Sequence, residues 1–376
     1  MIKKVLIATD SFKGTLTSSE AGVAVCEGIK EVFPDAEVII REAADGGEGT
    51  SGIVTRACKG RTETITASGP VEGMKVQAHY GIINGSTAVI DISEACGITL
   101  VPEDLRNPLY TTTRGIGDMI LDALDKGCRN FIIGLGGSST NDCGTGMLSA
   151  LGIEFTDKEG SLIRPGASGL SSVRHISLNG LDRRIKESEF VIACDVKNPL
   201  TGPSGCSMIF APQKGADPET CKLMDNWIND FTAIVSQTVQ SQDPLFPGCG
   251  AAGGLGYAFR TFLNGSLVSG AGLITEITRL KEAMEGADLV ITGEGKIDSQ
   301  TPMGKIPSQI ARLASSMGIP VIAFAGIVEA DKETLHECGI DEVYSISEGI
   351  SIDQAMTNAA SLLTIKVKEV MRGRAV

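Results

Sequence analysis

An apolar run, Phe131-Ile132-Ile133, leads directly into Gly134-Leu135-Gly136-Gly137-Ser138-Ser139-Thr140-Asn141-Asp142, and Gly146–Leu151 beyond it reads as a helix. Strand, glycine-rich turn and helix make the local geometry that binds phosphate. Glycine tolerates positive φ and close backbone approach, and the first amides of a helix have no partner within it. Ser138, Ser139 and Thr140 add hydroxyl donors. The turn is neither G-x-x-x-x-G-K-S/T nor a clean G-x-G-x-x-G, so a tight strand-to-helix turn with no ligand accounts for it equally well.

Four further strand ends carry charge. Ala8-Thr9 runs into Asp10-Ser11-Phe12-Lys13, and Ala43-Ala44 into Asp45-Gly46-Gly47-Glu48-Gly49. Ile192-Ala193-Cys194 runs into Asp195-Val196-Lys197-Asn198, and Val290-Ile291-Thr292 into Gly293-Glu294-Gly295-Lys296-Ile297-Asp298. Ligands of open parallel sheets bind outside the carboxyl ends of the strands. Any one of these acids could simply cap the helix after it. Together they supply the parts of phosphoryl transfer: carboxylates for Mg2+, cations for the transferred group, and a base near the attacking hydroxyl. Gln213 and Lys214 follow an apolar run, and Gly250–Gly256 is a stretch of small residues suited to close packing.

The elements that must position these groups alternate. Lys3–Ala8 reads as a buried strand. Thr17-Ser18-Ser19-Glu20 is a capping box opening a helix with Ala21, Val25, Ile29 and Val32 on one face. Glu37–Ala44 is a second strand. Near the C-terminus, strands over 287–292, 320–325 and 342–346 alternate with helices over 307–317 and 332–338, and a single long helix covers 353–371. Between these halves, 61–67, 75–83 and 87–92 read as consecutive strands, with Asn84-Gly85 as a hairpin turn. The fold class is α/β with two α/β domains: a discontinuous, parallel-sheet outer domain (1–66 plus 286–376) and an inserted central domain (67–285), with a cleft between them.

Composition narrows the function. The net charge of −13 and the lack of a Lys/Arg run disfavour nucleic acid. No apolar stretch approaches the ~20 residues that span a bilayer, and no secretory signal is evident. The 10 cysteines include no C-x-x-C, which points to reduced, buried thiols in the cytoplasm. His79, His175 and His336 are scattered and read as structural, and Trp227 as half-buried in a helix.

The chain resembles the bacterial type I glycerate kinase family. The resemblance lies in DSFKGTL at 10–16, ADGGEGT at 44–50, GLGGSSTND at 134–142, CDVKNPLTG at 194–202, PQKGA at 212–216, GAAGGLG at 250–256, TGEGKIDSQT at 292–301 and GKIPSQIA at 304–311. These motifs span nearly the whole length. Cys143 departs from a usual glycine and Cys206 from a usual small residue. The resemblance implies ATP-dependent phosphorylation of D-glycerate, mostly at the 2-hydroxyl, with the 3-hydroxyl or another small hydroxy acid or sugar acid as alternatives. It also implies an active site between two α/β domains.

On that footing Asp195 is the favoured base, with Asp45 next. Lys13 or Lys296 would meet the substrate carboxylate. Asp10, Ser11, Glu48 and Asn198 would contact the substrate. Gly136, Gly137, Ser138, Ser139, Thr140, Asn141 and Lys214 would cradle the ATP phosphates, and Glu294 and Asp298 would hold Mg2+. The partners are then D-glycerate and ATP, with no nucleic acid and no membrane, for a monomer or homodimer. A dinucleotide oxidoreductase is disfavoured because DSFKGT, not G-x-G-x-x-G, follows the first strand. A non-catalytic sensor would leave the charged strand ends without purpose.

Overall fold

The computed structural model describes residues 2–12, 14–43, 46–240, 243–299, 301–303 and 305–375. Its strands, in chain order, are β1 (Lys4–Ile7), β2 (Glu37–Ile40), β3 (Arg61–Ser68), β4 (Lys75–Ile83), β5 (Thr87–Asp91), β6 (Asn130–Gly134), β7 (Glu154–Thr156), β8 (His175–Ser177), β9 (Glu189–Ala193), β10 (Ser266–Val268), β11 (Leu289–Ile297), β12 (Val321–Val328) and β13 (Glu342–Ser345). The chain forms two compact units, one made of Met1–Asp45 with Ala271–Val376, the other of Gly46–Gly270. Residues 46–66 group with the continuous unit, where the sequence pattern places them with the chain ends. The reason is that β3 pairs along its whole length with β4. Conversely, Ala271, Leu280, Ala283 and Met284 belong to the core of the discontinuous unit, which moves the later boundary from 285 to 270.

The discontinuous unit holds a five-stranded sheet in the order β13-β12-β11-β1-β2, with all neighbours parallel. Alternation along the strands serves its two faces. Val5 and Ile7 pack with Ala21, Val25 and Ile29 of the helix Ser18–Lys30 and with Leu363 and Val367. Leu6 and Ala8 pack with Ile306, Ile310 and Ala314 of the helix Ile306–Ser316 on the other face. The β1-to-β2 connection and the β11-to-β12 connection thus lie on opposite faces and run in opposite directions along the sheet. The topological switch point falls between β1 and β11.

The capping box forms as read: Thr17 accepts from the Glu20 N–H at 3.2 Å, and the Glu20 carboxylate accepts from the Thr17 N–H at 2.8 Å. The long final helix does not form as one piece. It divides into Ile352–Thr357 and Ala359–Arg372 at Asn358, whose φ of −115° and ψ of 19° leave the helical region. The Asn358 side chain donates to the Gln354 carbonyl at 3.0 Å, so a side chain competes with the backbone ladder there.

The continuous unit holds a six-stranded sheet, β10-β9-β6-β5-β4-β3. The hairpin partners β3 and β4 are antiparallel, as are β4 and β5, and the remaining pairs are parallel. Asn84 and Gly85 both adopt positive φ, 51° and 77°, as a type I′ turn requires. Phe131 and Phe190 stack at 4.7 Å between rings on adjacent β6 and β9. Phe131→Ala should destabilise this unit by about 3–5 kcal/mol, checked as a shift of its unfolding transition in urea.

Candidate active site

In the continuous unit, glycine backbones stack at the carboxyl ends of the strands. Gly46 has φ 84°. A Cβ there would come within 2.9 Å of the Ala193 Cβ and 3.0 Å of the Gly270 Cα. A Cβ on Gly134 would lie 2.6 Å from the Gly46 carbonyl oxygen, and one on Gly136 only 2.3 Å from the Gly47 Cα. Side-chain carbons do not approach backbone this closely, so the segments 46–48, 134–137 and 193–195 can meet only with glycine at these places. The Leu135 N–H donates to the Ala193 carbonyl at 3.3 Å, tying the turn to the end of β9.

Asp195 lies two residues beyond β9 and is exposed. Its Oδ1 accepts from the Ser269 hydroxyl at 2.9 Å and from the Gly270 N–H at 3.0 Å, at the first residue of the helix Gly270–Ile277. The Glu48 side chain is exposed, with its Oε2 3.8 Å from the Cβ position of Gly137. The Asn198 side-chain amide donates to the Ser204 carbonyl at 2.8 Å, and its backbone carbonyl accepts from the Gly248 and Gly250 N–H groups, which shapes the loop after Asp195.

Only part of the glycine turn faces solvent. Gly137 is exposed and Gly136 half-buried, while Ser138, Ser139, Thr140, Asn141 and Asp142 are buried. The Ser139 hydroxyl and N–H both donate to the Cys96 carbonyl at 2.8 Å. The Asn141 amide donates to the Ser207 hydroxyl at 2.9 Å. The following helix, Thr145–Ala150, has only six residues. The anion at its start is the chain's own: Asp142 accepts from the Gly144 and Gly146 N–H groups and from the N–H and hydroxyl of Thr113. Burial pushes the Asp142 carboxyl above its usual range, and these donors oppose the shift. The amides of Cys143, Gly144, Thr145 and Gly146, which the sequence pattern offers to phosphate, are therefore already taken. Cys143 adopts φ 49°, the left-handed conformation that suits the glycine its position usually holds.

Lys214 is also inside, 2% exposed. Its ammonium donates to the Ser138 hydroxyl at 2.9 Å and to the Thr140 carbonyl at 2.6 Å, bracing the turn from beneath. Burial lowers its pKa to about 8, against the favourable fields of Cys206, Cys96 and Asp142.

In the discontinuous unit the polar groups gather at the switch point. The Asp10 N–H donates to the Gly293 carbonyl, and the Asp10 carboxylate accepts from the Ser11 N–H at 2.6 Å. Glu294, 7% exposed, accepts from the Thr301 hydroxyl at 2.7 Å, and that hydroxyl accepts from the Asp298 N–H at 3.1 Å. Lys305 lies 3.7 Å from Glu294 and 3.3 Å from Asp298. Lys296, expected on a substrate carboxylate, pairs with Glu329 at 2.8 Å in an exposed ion pair. A cavity of about 310 Å³ opens here, lined by Asp10, Ser11 and Glu294 on one side and by Ile327, Ile346 and Met356 on another. Lys13 and Asp45 lie outside the described residues.

Glu294 and Asp298 have the oxygen donors that Mg2+ takes, and this ion needs only one or two carboxylates besides water and phosphate. The Lys305 ammonium already compensates their charge. Among the described residues there is no group of three or more His, Cys, Asp or Glu side chains suited to a metal. No helix of the described residues is long and apolar enough to cross a membrane. The cysteines are all free.

Three residues escape a reading by strand ends. Lys305 stands in the GKIP segment, just ahead of a helix-opening proline and not at a strand end. Asp142 reads as part of the ligand-facing turn. Asp91 sits within the apolar run Val89-Ile90-Asp91-Ile92, a lone acid that is itself a signal. Its buried carboxylate accepts from the Ser51 N–H and hydroxyl, fixing the start of the helix Thr50–Ala57 behind the Gly46–Gly49 turn. Burial raises its pKa to about 7.

The Lys214 brace gives a signed pH effect. With the folded pKa near 8 and the usual value 10.5, the unfolded chain holds the proton through a window in which the native state has lost it. Stability therefore rises with pH across that window, and the full cost of the buried charge applies below it. Chemical denaturation of wild type and Lys214→Met at successive pH values should show this slope in the wild type and its loss in the variant.

A sequence model described as the glycerate kinase family matches residues 5–374. The chain is 42% identical over 369 residues to a glycerate kinase of Bacillus subtilis (strain 168), covering 98% of this chain and 96% of that one. It is 42% identical over 358 residues to a glycerate 2-kinase of Escherichia coli (strain K12), covering 95% and 94%. A crystal structure from Salmonella typhimurium LT2, assigned as a glycerate kinase 2, superposes with a TM-score of 0.85 at 37% identity and full coverage of both chains. Matches of this length and identity leave no part of either unit outside the relationship: the chain belongs to the glycerate kinase family.

Proposed function

We propose that this chain transfers the terminal phosphoryl group of ATP to the 2-hydroxyl of D-glycerate. The observation that carries the assignment of roles is Asp195: an exposed carboxylate at the end of a parallel strand, fixed by Ser269 and Gly270 beside the exposed Gly136-Gly137 turn. Asp195 orients the substrate hydroxyl and accepts its proton late, as the bond to phosphorus forms. The amides of Gly136 and Gly137 offer donors to developing negative charge. Ser139, Thr140, Asn141 and Lys214 act from inside by holding that turn in place. Glu48 accepts hydrogen bonds from substrate hydroxyls, since an ionised carboxylate is acceptor-only. Glu294 and Asp298 would hold Mg2+, which with ATP supplies the activated phosphoryl group when bound. Lys13 is the cation proposed for the substrate carboxylate, in place of the paired Lys296, and Asp45 is the alternative base.

Phosphorus NMR of the product tests the reaction: 2-phosphoglycerate is expected, and 3-phosphoglycerate or no product would overturn the regiochemistry or the reading itself. Asp195→Asn should lower kcat by roughly 10²-fold or more with folding intact, and near-normal turnover would remove it from the role. Lys13→Ala should mainly raise the KM for D-glycerate, and an unchanged KM would place that carboxylate elsewhere.

A further inference from the structure

We propose that the cavity in the discontinuous unit is a purine-nucleoside subsite that takes the base and ribose of the nucleotide. The inference rests on ATP being the phosphoryl donor.

Position is the first argument. The cavity opens at the carboxyl ends of β1, β11 and β12, where the sheet order reverses and its crossover helices change face. In doubly wound sheets that crevice is the ligand site. Its volume of about 310 Å³ is at the lower end of the usual range for small-molecule pockets.

The lining decides between ligands. Ile327 and Ile346 face the cavity from the sheet, and Ile352, Ala355 and Met356 from the short helix that the break at Asn358 detaches from the last one. Ile352 and Met356 are 64% and 48% exposed, so large apolar side chains stand open to solvent at its mouth. A flat heteroaromatic ring would cover them, and removing that apolar surface from water is favourable. A three-carbon hydroxy acid is too small and too polar to do so. It would also bring its carboxylate to the carboxylates of Asp10 and Glu294, while the two lysines among the described lining residues are engaged, Lys296 with Glu329 and Lys305 with Glu294 and Asp298. Ribose hydroxyls, by contrast, are donors suited to the carboxylate of Asp10 and the hydroxyls of Ser11 and Ser347 at the polar rim.

The test compares ADP with pyrophosphate, both with Mg2+, by isothermal titration of the full chain. Wild type should bind ADP more tightly than pyrophosphate. Ala355→Trp, which fills the cavity, should weaken ADP by about tenfold or more, a loss of roughly 1.4 kcal/mol, and leave pyrophosphate binding and the KM for D-glycerate near wild type. Met356→Ala, at an exposed position where folding is not at risk, should weaken ADP by a smaller factor in the same direction. Unchanged ADP affinity in both variants would overturn the subsite, as would a rise confined to the KM for D-glycerate. A wild type that binds ADP no better than pyrophosphate and does not phosphorylate D-glycerate with ATP would overturn the donor assignment itself, and the subsite with it.

Discussion

Backbone-on-backbone contact at glycine is the constraint from which the candidate site in the continuous unit follows. Gly134 rests on Gly46, Gly136 on Gly47, and Gly46 against Ala193 and Gly270. Each contact is too close for a Cβ. Three segments remote in sequence therefore lie within reach of one another, and a carboxylate at position 195 stands beside an exposed glycine turn. The charged residues draw most attention in the sequence, but their arrangement is set by residues without side chains.

A second layer holds that arrangement from within. Lys214, Asp142 and Asp91 are buried polar groups, and each has a clear structural partner: Lys214 under Ser138 and Thr140, Asp142 on the Gly144 and Gly146 amides, Asp91 on Ser51. Burying such groups is unfavourable unless their hydrogen bonds are made. Their satisfied geometry fixes the turns with little freedom, which is what a site for phosphoryl transfer needs, since that chemistry relies on positioning and charge more than on covalent steps.

Much of this was legible in the sequence. Alternation in Val5-Leu6-Ile7-Ala8, the capping box at Thr17–Glu20 and the Asn84-Gly85 turn are local signals, and local physics decides them. The discontinuous α/β arrangement follows from the order of the elements. What escaped depends on partners distant in the chain. Nothing in GGSSTND says that the amides after it are already bound by Asp142, or that Ser139 and Asn141 turn inward to Cys96 and Ser207. The break at Asn358 interrupts a run whose apolar spacing continues across it, so periodicity alone reads one helix. Lys305 was hidden because nothing in its own segment shows the two carboxylates, Glu294 and Asp298, that the fold brings to it.

The most direct measurement is hydrogen–deuterium exchange on Gly136→Ala, followed over peptides covering 46–50 and 134–138 and paired with turnover. If the glycine contacts set the site, one added methyl should raise exchange in both segments together and remove most of the activity. Wild-type exchange in both segments with normal turnover would show that the strand ends hold their places without that contact, and the account would fail.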